Sequence, residues 1–346
     1  MTDPLELARQ WLTLDPDNAG VLTREIQAAE AGDDAAIAAV TARFAGYLTF
    51  GTAGLRAPLG PGTTRMNRVV VQRAAAGIAD FAKQHIDVPS VVIGYDARHG
   101  SKDFALDSAA VLTAAGCRVR LLAVRTPTPV LAFALKHFQA DIGIMVTASH
   151  NPPADNGYKV YLGARLVAAD DTAGTYGQLT SPTDQVIAGH IQQRNTAAEL
   201  PPRTDHGWEY VPDTVIDEYV TAIAQFISEI SPAATHRAGL KIVYTAMHGV
   251  GGVTFGKLLE ATGFGAPQLV ASQADPDPAF PTVAFPNPEE PGALDEAFTT
   301  AALDPETDLI VAHDPDADRL AIAIPIDGHW QRLTGDQVGL LLGARL

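Results

Sequence analysis

The sequence predicts an α/β protein: tandem units with mixed or parallel sheets, helices on both sheet faces, and a helical N-terminal lead-in. Three observations carry this expectation. Short apolar runs, such as residues 91–95 and 142–146, alternate with longer segments of helical period, as strands joined through crossover helices do. The alternation stops at a polar, proline-bearing stretch, 195–207, and then begins again. A chain of 346 residues with 47% hydrophobic content is also long enough for more than one core.

Residues 4–45 read as helical. Leu5, Leu7, Ala8, Trp11 and Leu12 mark an apolar face, a turn follows at 15–20, and Thr23 opens a further helix. From residue 69 the expected elements are helix 69–83, strand 91–95, helix 104–115, strand 118–122, helix 129–138 and strand 142–146. Residues 163–183 are rich in Gly, Ala, Thr and Asp, a helix covers 183–194, and 195–207 is the expected linker. The second series runs helix 215–230, strand 240–246, helix 254–262, strand 268–271, helix 294–302, strand 308–312 and strand 320–324. Both series share this order without a direct sequence repeat. The expected divisions are therefore an extension 1–45, a first α/β domain 46–205, a second 206–327, and a third unit begun at 328–346 by a helix start at Thr334-Gly335-Asp336.

Composition excludes several classes. There are 24 Lys+Arg against 40 Asp+Glu, a net charge of −16, so a nucleic-acid backbone is repelled and no nucleic-acid partner is expected. The N-terminus lacks a basic start followed by an apolar run, and no apolar stretch reaches the roughly 18 to 20 residues of a membrane span. A cytoplasmic protein without a membrane partner is expected. Cys117 is the one cysteine and reads as a buried, inert thiol.

Two loops concentrate the chemistry. Strand 142–146 runs into Thr147-Ala148-Ser149-His150-Asn151-Pro152-Pro153, which places Ser149 at the strand end where parallel α/β sheets hold ligands. The same residues also suit a plain Ser/Asn/Pro turn. Downstream, Asp314, Asp316 and Asp318 alternate, so an extended backbone points all three carboxylates to one side, as a hard cation requires. A solvated acidic turn has the same spacing. An EF-hand is excluded, because Arg319 replaces its glycine and Pro325 its closing glutamate. Mg²⁺ fits the triplet best if a phosphate completes the shell. With a phosphoryl group on Ser149 the site would carry roughly −3, which calls for cations, and Arg56, Lys159 and Arg319 adjoin the relevant loops.

Thr147–Pro153 with Asn156-Gly157-Tyr158-Lys159, and Asp314-Pro315-Asp316-Ala317-Asp318-Arg319, resemble the motifs of the α-D-phosphohexomutase superfamily, the phosphoglucomutases and phosphomannomutases. Gly51-Thr52-Ala53-Gly54-Leu55-Arg56 and the helices before it resemble the phosphoglucomutase-2-like and phosphopentomutase branch. The resemblance implies a phosphosugar mutase, an isomerase moving phosphate between the 1- and the 6- or 5-position of hexose or pentose phosphates through a sugar bisphosphate. It implies that Ser149 is the phosphorylated residue, and that Asp314, Asp316 and Asp318 bind Mg²⁺ together with a phosphoserine oxygen. It further implies that His150 and Lys159 assist proton transfer and charge stabilisation, that Arg56 and Arg319 face the transferred group, and that Asn151 and Arg98 support substrate or phosphate. Members of this superfamily have four domains, so the resemblance implies a chain that stops near the start of the third. The expectation is an intact phosphoryl donor and metal half-site with very low isolated turnover, or an impaired module that binds sugar phosphate and Mg²⁺.

Other signals are weaker. The glycines at 249, 251 and 252 follow a strand, but the third position of a dinucleotide fingerprint falls on Thr254, and no P-loop motif is present. His248 and His313 read as hydrogen-bonded structural residues. A serine hydrolase built on Ser149 and His150 lacks a GxSxG elbow.

Overall fold

The structure is a computed structural model that describes residues 3–51, 54–167, 174–197, 199–231 and 236–345. Thr52 and Ala53 of the glycine motif, and residues 168–173 of the stretch at 163–183, lie outside the described residues.

Three helices open the chain: α1 (Pro4–Leu14), α2 (Ala19–Glu30) and α3 (Asp34–Phe44). The Asp3 and Asp33 carboxylates accept from first-turn amides and cap α1 and α3. The first α/β unit follows with β1 (Leu55–Pro58), α4 (Arg68–Lys83), β2 (Ser90–Tyr95), α5 (Ser101–Ala114), β3 (Arg118–Leu122), α6 (Thr128–His137), β4 (Ile142–Val146), β5 (Asp155–Leu162), α7 (Thr183–Asn195) and β6 (Glu209–Val211). Its sheet has the order β1-β5-β4-β2-β3-β6. Side chains alternate across it: Val91, Ile93, Ile142, Ile144 and Val146 meet α4, α5, α7 and the N-terminal helices, while Val92 and Met145 meet α6 and the next helix, α8 (Thr214–Ile230).

The second unit contains β7 (Ile242–Thr245), α9 (Gly251–Ala261), β8 (Gln268–Leu269), α10 (Asp295–Ala301), β9 (Leu309–His313), β10 (Leu320–Ile326) and β11 (His329–Arg332), with sheet order β11-β10-β9-β7-β8. Helix α11 (Gly335–Arg345) follows. Helix α8 packs on both α6 and α9 and so bridges the two units.

The expected alternation is present, and the inner strands β3, β2 and β4, like β8, β7 and β9, are parallel. β5 runs antiparallel to β4, because the loop from Val146 to Asp155 is shorter than the dozen or so residues a parallel crossover needs. Strands β1, β6 and β11 are absent from the apolar pattern. They are short edge segments. The stretch expected as a linker is tied down: the Thr204 amide donates to Ala110 O, and Arg203 pairs with buried Asp107. β6 then adds to the first sheet beside β3, just past the expected division at 205. Cys117 is buried, which pushes its thiol up to about 11.

Gly157 shows how tightly β5 is seated. A Cβ there would lie 2.5 Å from Thr147 O and 2.7 Å from Leu55 O, between the two neighbouring strands. Gly189, exposed on α7, has nothing within 4 Å of its would-be Cβ. Gly157→Ala is expected to lose about 1 to 3 kcal/mol by overpacking, and Gly189→Ala to gain about 0.5 to 1 kcal/mol from helix propensity. Urea unfolding checks both; equal midpoints for the two variants would contradict this reading of the strand packing.

Candidate active site

Ser149 lies beyond the carboxyl end of β4 and is buried, with a left-handed φ of 52°. Its amide donates to Thr147 Oγ1 at 2.9 Å, which stabilises that uncommon conformation. The loop is held from behind by Arg98. Its Nη2 donates to Ser149 O (2.7 Å) and Asn151 O (2.6 Å), and its Nη1 to Pro152 O (2.8 Å) and Asp155 O (3.0 Å). Asp96, 3.6 Å from Arg98 Nε, supplies the countercharge, and the Phe280 ring centroid of the second unit lies 4.9 Å from the guanidinium carbon. Arg98 was expected to support substrate or phosphate. Its four carbonyl bonds make it a clamp on the serine loop instead.

The aspartate loop leaves β9 at the carboxyl end of the second sheet. The Ala317 amide donates to Asp314 O at 2.9 Å, with Ala317 in a left-handed conformation (φ 54°), which closes a tight turn. The Val250 amide donates to Pro315 O, and Gly249 lies so close to Pro315 that a Cβ would collide with it. From the first unit, Thr128 at the start of α6 donates its amide to Asp316 O (2.9 Å) and its hydroxyl to Asp316 Oδ2 (2.6 Å).

The two loops meet directly. Ser149 Oγ donates to Asp314 Oδ2 at 2.7 Å across 165 residues of sequence. Lys159, buried on β5, places Nζ 2.7 Å from Asp316 Oδ2 and 2.6 Å from Asp318 Oδ2. One oxygen from each of Asp314, Asp316 and Asp318 lies within 4.8 Å of the others, and buried Asp316 Oδ1 has no hydrogen-bond partner. Such an orphaned acceptor on one of three grouped carboxylates, another of which meets the serine hydroxyl, suits a divalent cation with oxygen ligands. The electrostatics agree. Burial, then the charges of Asp316 and Asp318, push Asp314 well above the usual carboxylate range. Burial also opposes ionisation of Asp316, but Lys159 and the hydrogen bonds outweigh it and hold that carboxyl at about 2. A cation between them would relieve the repulsion on Asp314 by favouring its ionised form.

The remaining expected residues line the rim. His150 Nδ1 is 3.2 Å from Ser149 Oγ; burial, followed by the charges of Arg319 and Arg56, lowers its pKa to about 4 and leaves the ring neutral near pH 7. Arg56 Nη1 donates to Asn151 Oδ1 at 3.4 Å, and its buried Nε has no partner. Asn151 in turn donates to Asp155 Oδ2 at 2.9 Å. The Arg319 amide donates to Asp314 Oδ1 at 3.0 Å, while its half-exposed guanidinium lies 4.0 Å from Glu289. Thr128 does not stand out in the sequence, whereas Thr147 and Gly249 lie in stretches singled out there without a role for either. Thr128 has one available signal, its place in the strand-end loop Arg125–Pro129, but hydroxyl threonines there carry no ligand spacing.

Two α/β units thus join a strand-end serine to a carboxylate triplet that could hold a metal ion. The family description "Phosphoglucomutase/phosphomannomutase, alpha/beta/alpha domain I" matches residues 47–182, and "alpha/beta/alpha domain II" of the same family matches 217–326. The chain is 46% identical to a provisionally named phosphomannomutase of Haemophilus influenzae, over 80% of this chain and 54% of that protein. It is 36% identical to a phosphoribomutase of Saccharomyces cerevisiae, over 86% and 49%. A solved structure provisionally named a phosphomannomutase, from Thermus thermophilus, superposes with a TM-score of 0.65 at 26% identity, covering 81% of this chain and 57% of that one. The chain belongs to the α-D-phosphohexomutase superfamily, as the motif resemblance implied. It spans about half the length of the curated relatives it matches. No helix among the described residues is long and apolar enough to cross a membrane.

Thr128 gives the site a direct test. Thr128→Val removes the hydroxyl bond to Asp316 while keeping the methyl packing, and outer-shell partners of this kind are worth about 10- to 100-fold in metal affinity. Calorimetric titration with Mn²⁺ should show a loss in that range, and an affinity equal to wild type would remove Thr128 from the site.

Proposed function

We propose that this chain carries the phosphoryl-donor half of a phosphosugar mutase reaction, with phospho-Ser149 as the carrier and a hexose or pentose monophosphate as the acceptor. The observation that carries the proposal is the 2.7 Å contact between Ser149 Oγ and buried Asp314, with Asp316 and Asp318 grouped behind it. Serine hydroxyls are weak nucleophiles, and nothing in hydrolase chemistry calls for three carboxylates there. Phosphoryl transfer instead needs positioning and charge neutralisation.

Loading from a sugar bisphosphate forms the Ser149 Oγ–P bond and breaks one sugar O–P bond. The serine proton leaves to an acceptor, and the released sugar oxygen gains one. Neutral His150, 3.2 Å from Oγ, is the ring within reach for the first transfer. The reverse step passes the group from Ser149 to the other hydroxyl of the sugar. Mg²⁺ held by Asp314, Asp316, Asp318 and a phosphoryl oxygen would neutralise the charge of about −1.5 to −2 on the transferred group. Lys159 balances Asp316 and Asp318, and the unpartnered Nε of Arg56 offers a donor on the serine side. The relatives' names include phosphomannomutase and phosphoribomutase, which supports a sugar phosphate as substrate class and leaves hexose and pentose both within the proposal.

The Ser149–His150 contact also fits a serine hydrolase, so that reading is tested alongside. Against it, no carboxylate among the described residues is hydrogen-bonded to His150, and a triad requires one to orient the ring. Incubation with a hexose 1,6-bisphosphate and Mg²⁺, followed by peptide mass spectrometry, should place one phosphoryl group on Ser149. EDTA, Ser149→Ala or Asp316→Asn should abolish it. Fluorophosphonate labelling of Ser149 without phosphorylation would replace the proposal with the hydrolase.

A further inference from the structure

The opposite edge of the first sheet carries a second concentration of cations. Ser90 and Arg118 are the first residues of β2 and β3 and lie in register, and Asp141 immediately precedes β4. These amino ends border a cleft of about 600 Å³ that is also lined by Arg120, Phe138 and Arg165. A second hollow of about 640 Å³ adjoins it at Arg165. From Asp141 to Ser149 the chain runs the length of β4, so the cleft and the serine site are separated by roughly 20 Å.

Arg165 and Arg120 are held in place with donors to spare. Asp141 is 1% exposed; it accepts from the Ser90 amide and hydroxyl, both at 2.7 Å, and from Arg165 Nε and Nη2 at 2.7 and 2.6 Å. That buried carboxylate fixes the guanidinium, while Arg165 Nη1 has no acceptor among the described residues. Arg120 lies 4.9 Å from the Phe138 ring centroid and gives only Nε to exposed Glu209. Arg118 is exposed and makes no side-chain hydrogen bond or ion pair among the described residues; it projects from the same face of β3 as Arg120, roughly 7 Å along the strand. The carbonyl end of α6 opens on the same cleft and opposes an anion with a partial charge, while the three guanidiniums exceed their partners Asp141 and Glu209 by one full charge.

In a chain of net charge −16, a cleft whose buried carboxylate is already paired, and which keeps the whole guanidinium of Arg118 and the Nη donors of Arg120, is locally cationic. We infer that this cleft, formed by Arg118, Arg120 and Arg165 over Asp141, is a second anion site that binds a small phosphorylated molecule away from Ser149. Arginine forks match phosphate oxygens bidentately, and a concave cleft of this volume encloses a small molecule. Asp141 leads directly into β4, so an occupant here adjoins the strand that carries the serine loop.

Calorimetric titration with inorganic pyrophosphate, in phosphate-free buffer with EDTA, tests the site without loading Ser149. Binding should weaken at least about tenfold in Arg118→Gln/Arg120→Gln and persist in Arg56→Gln, which alters the serine site only. Arg118→Glu, at an exposed side chain with no partner to lose, should abolish binding while the melting temperature holds. Three results would overturn the inference: no binding by wild type, an isotherm that the double substitution leaves unchanged, or equal loss in Arg56→Gln.

Discussion

Everything at the junction of the two units follows from burying Asp314 and Asp316 against Ser149. Two carboxylates with no solvent exposure cost several kcal/mol each unless they are paired or hydrogen-bonded. The surrounding structure answers each cost in turn. Lys159 comes in on β5 to balance Asp316 and Asp318, Thr128 comes in on α6 to bond both the backbone and side chain of Asp316, and the Arg319 amide serves Asp314. Burial by itself would lower the Lys159 pKa, yet the paired carboxylates raise it, so the lysine is charged because of the site it serves. What remains unanswered, Asp316 Oδ1 and the raised Asp314, is the part of the charge that a cation and a phosphoryl group can use.

The serine loop solves a different problem, how to hold a strand end in a left-handed conformation. Arg98 does so with four carbonyl bonds from one planar fork, a geometry that a lysine ammonium cannot reproduce. Burial lowers the Arg98 pKa and raises that of Asp96, so each is pushed toward neutrality. The carbonyl bonds use protons on both Nη atoms, and guanidinium does not deprotonate in proteins, so the charged pair is the form that fits. The Phe280 ring over Arg98 and the Phe285 ring near His150 close the same loop from the second unit.

Much of this arrangement is legible in the sequence because it is local. Period-two runs such as Ile142–Val146 mark buried strands, and the alternation of the aspartates puts three carboxylates on one side, though a solvated turn has the same spacing. The edge strands β1, β6 and β11 are not legible, since a strand paired on one side carries little apolar pattern. Thr128 escapes for another reason: its partner Asp316 is 188 residues away, and a lone threonine has no spacing to betray it. The role of Arg98 is hidden because a cation near a serine loop reads as a phosphate ligand until its four carbonyl partners are seen. Gly249 is visible as one of a glycine group, but its requirement is set by Pro315 from a distant strand end.

The back of the aspartate loop is apolar. Behind Asp314 and Ala317 lie Pro127, Pro129, Tyr219, Phe255 and His313, which line a small apolar hollow of about 60 Å³. Burial drops the pKa of His313 to about 4, so its ring is neutral near pH 7, and its Nδ1 meets the Tyr244 hydroxyl at 3.1 Å. That apolar wall is poorly polarisable, so the interactions of the carboxylates with Ser149 and Lys159 are less screened than in water. Because Thr128 fastens the aspartate loop to the first unit and Arg98 packs the serine loop on Phe280 of the second, the donor serine and the cation ligands share one scaffold. Neither loop can shift without disturbing the other, so the 2.7 Å approach of Ser149 to Asp314 is a property of the seam and not of either unit alone.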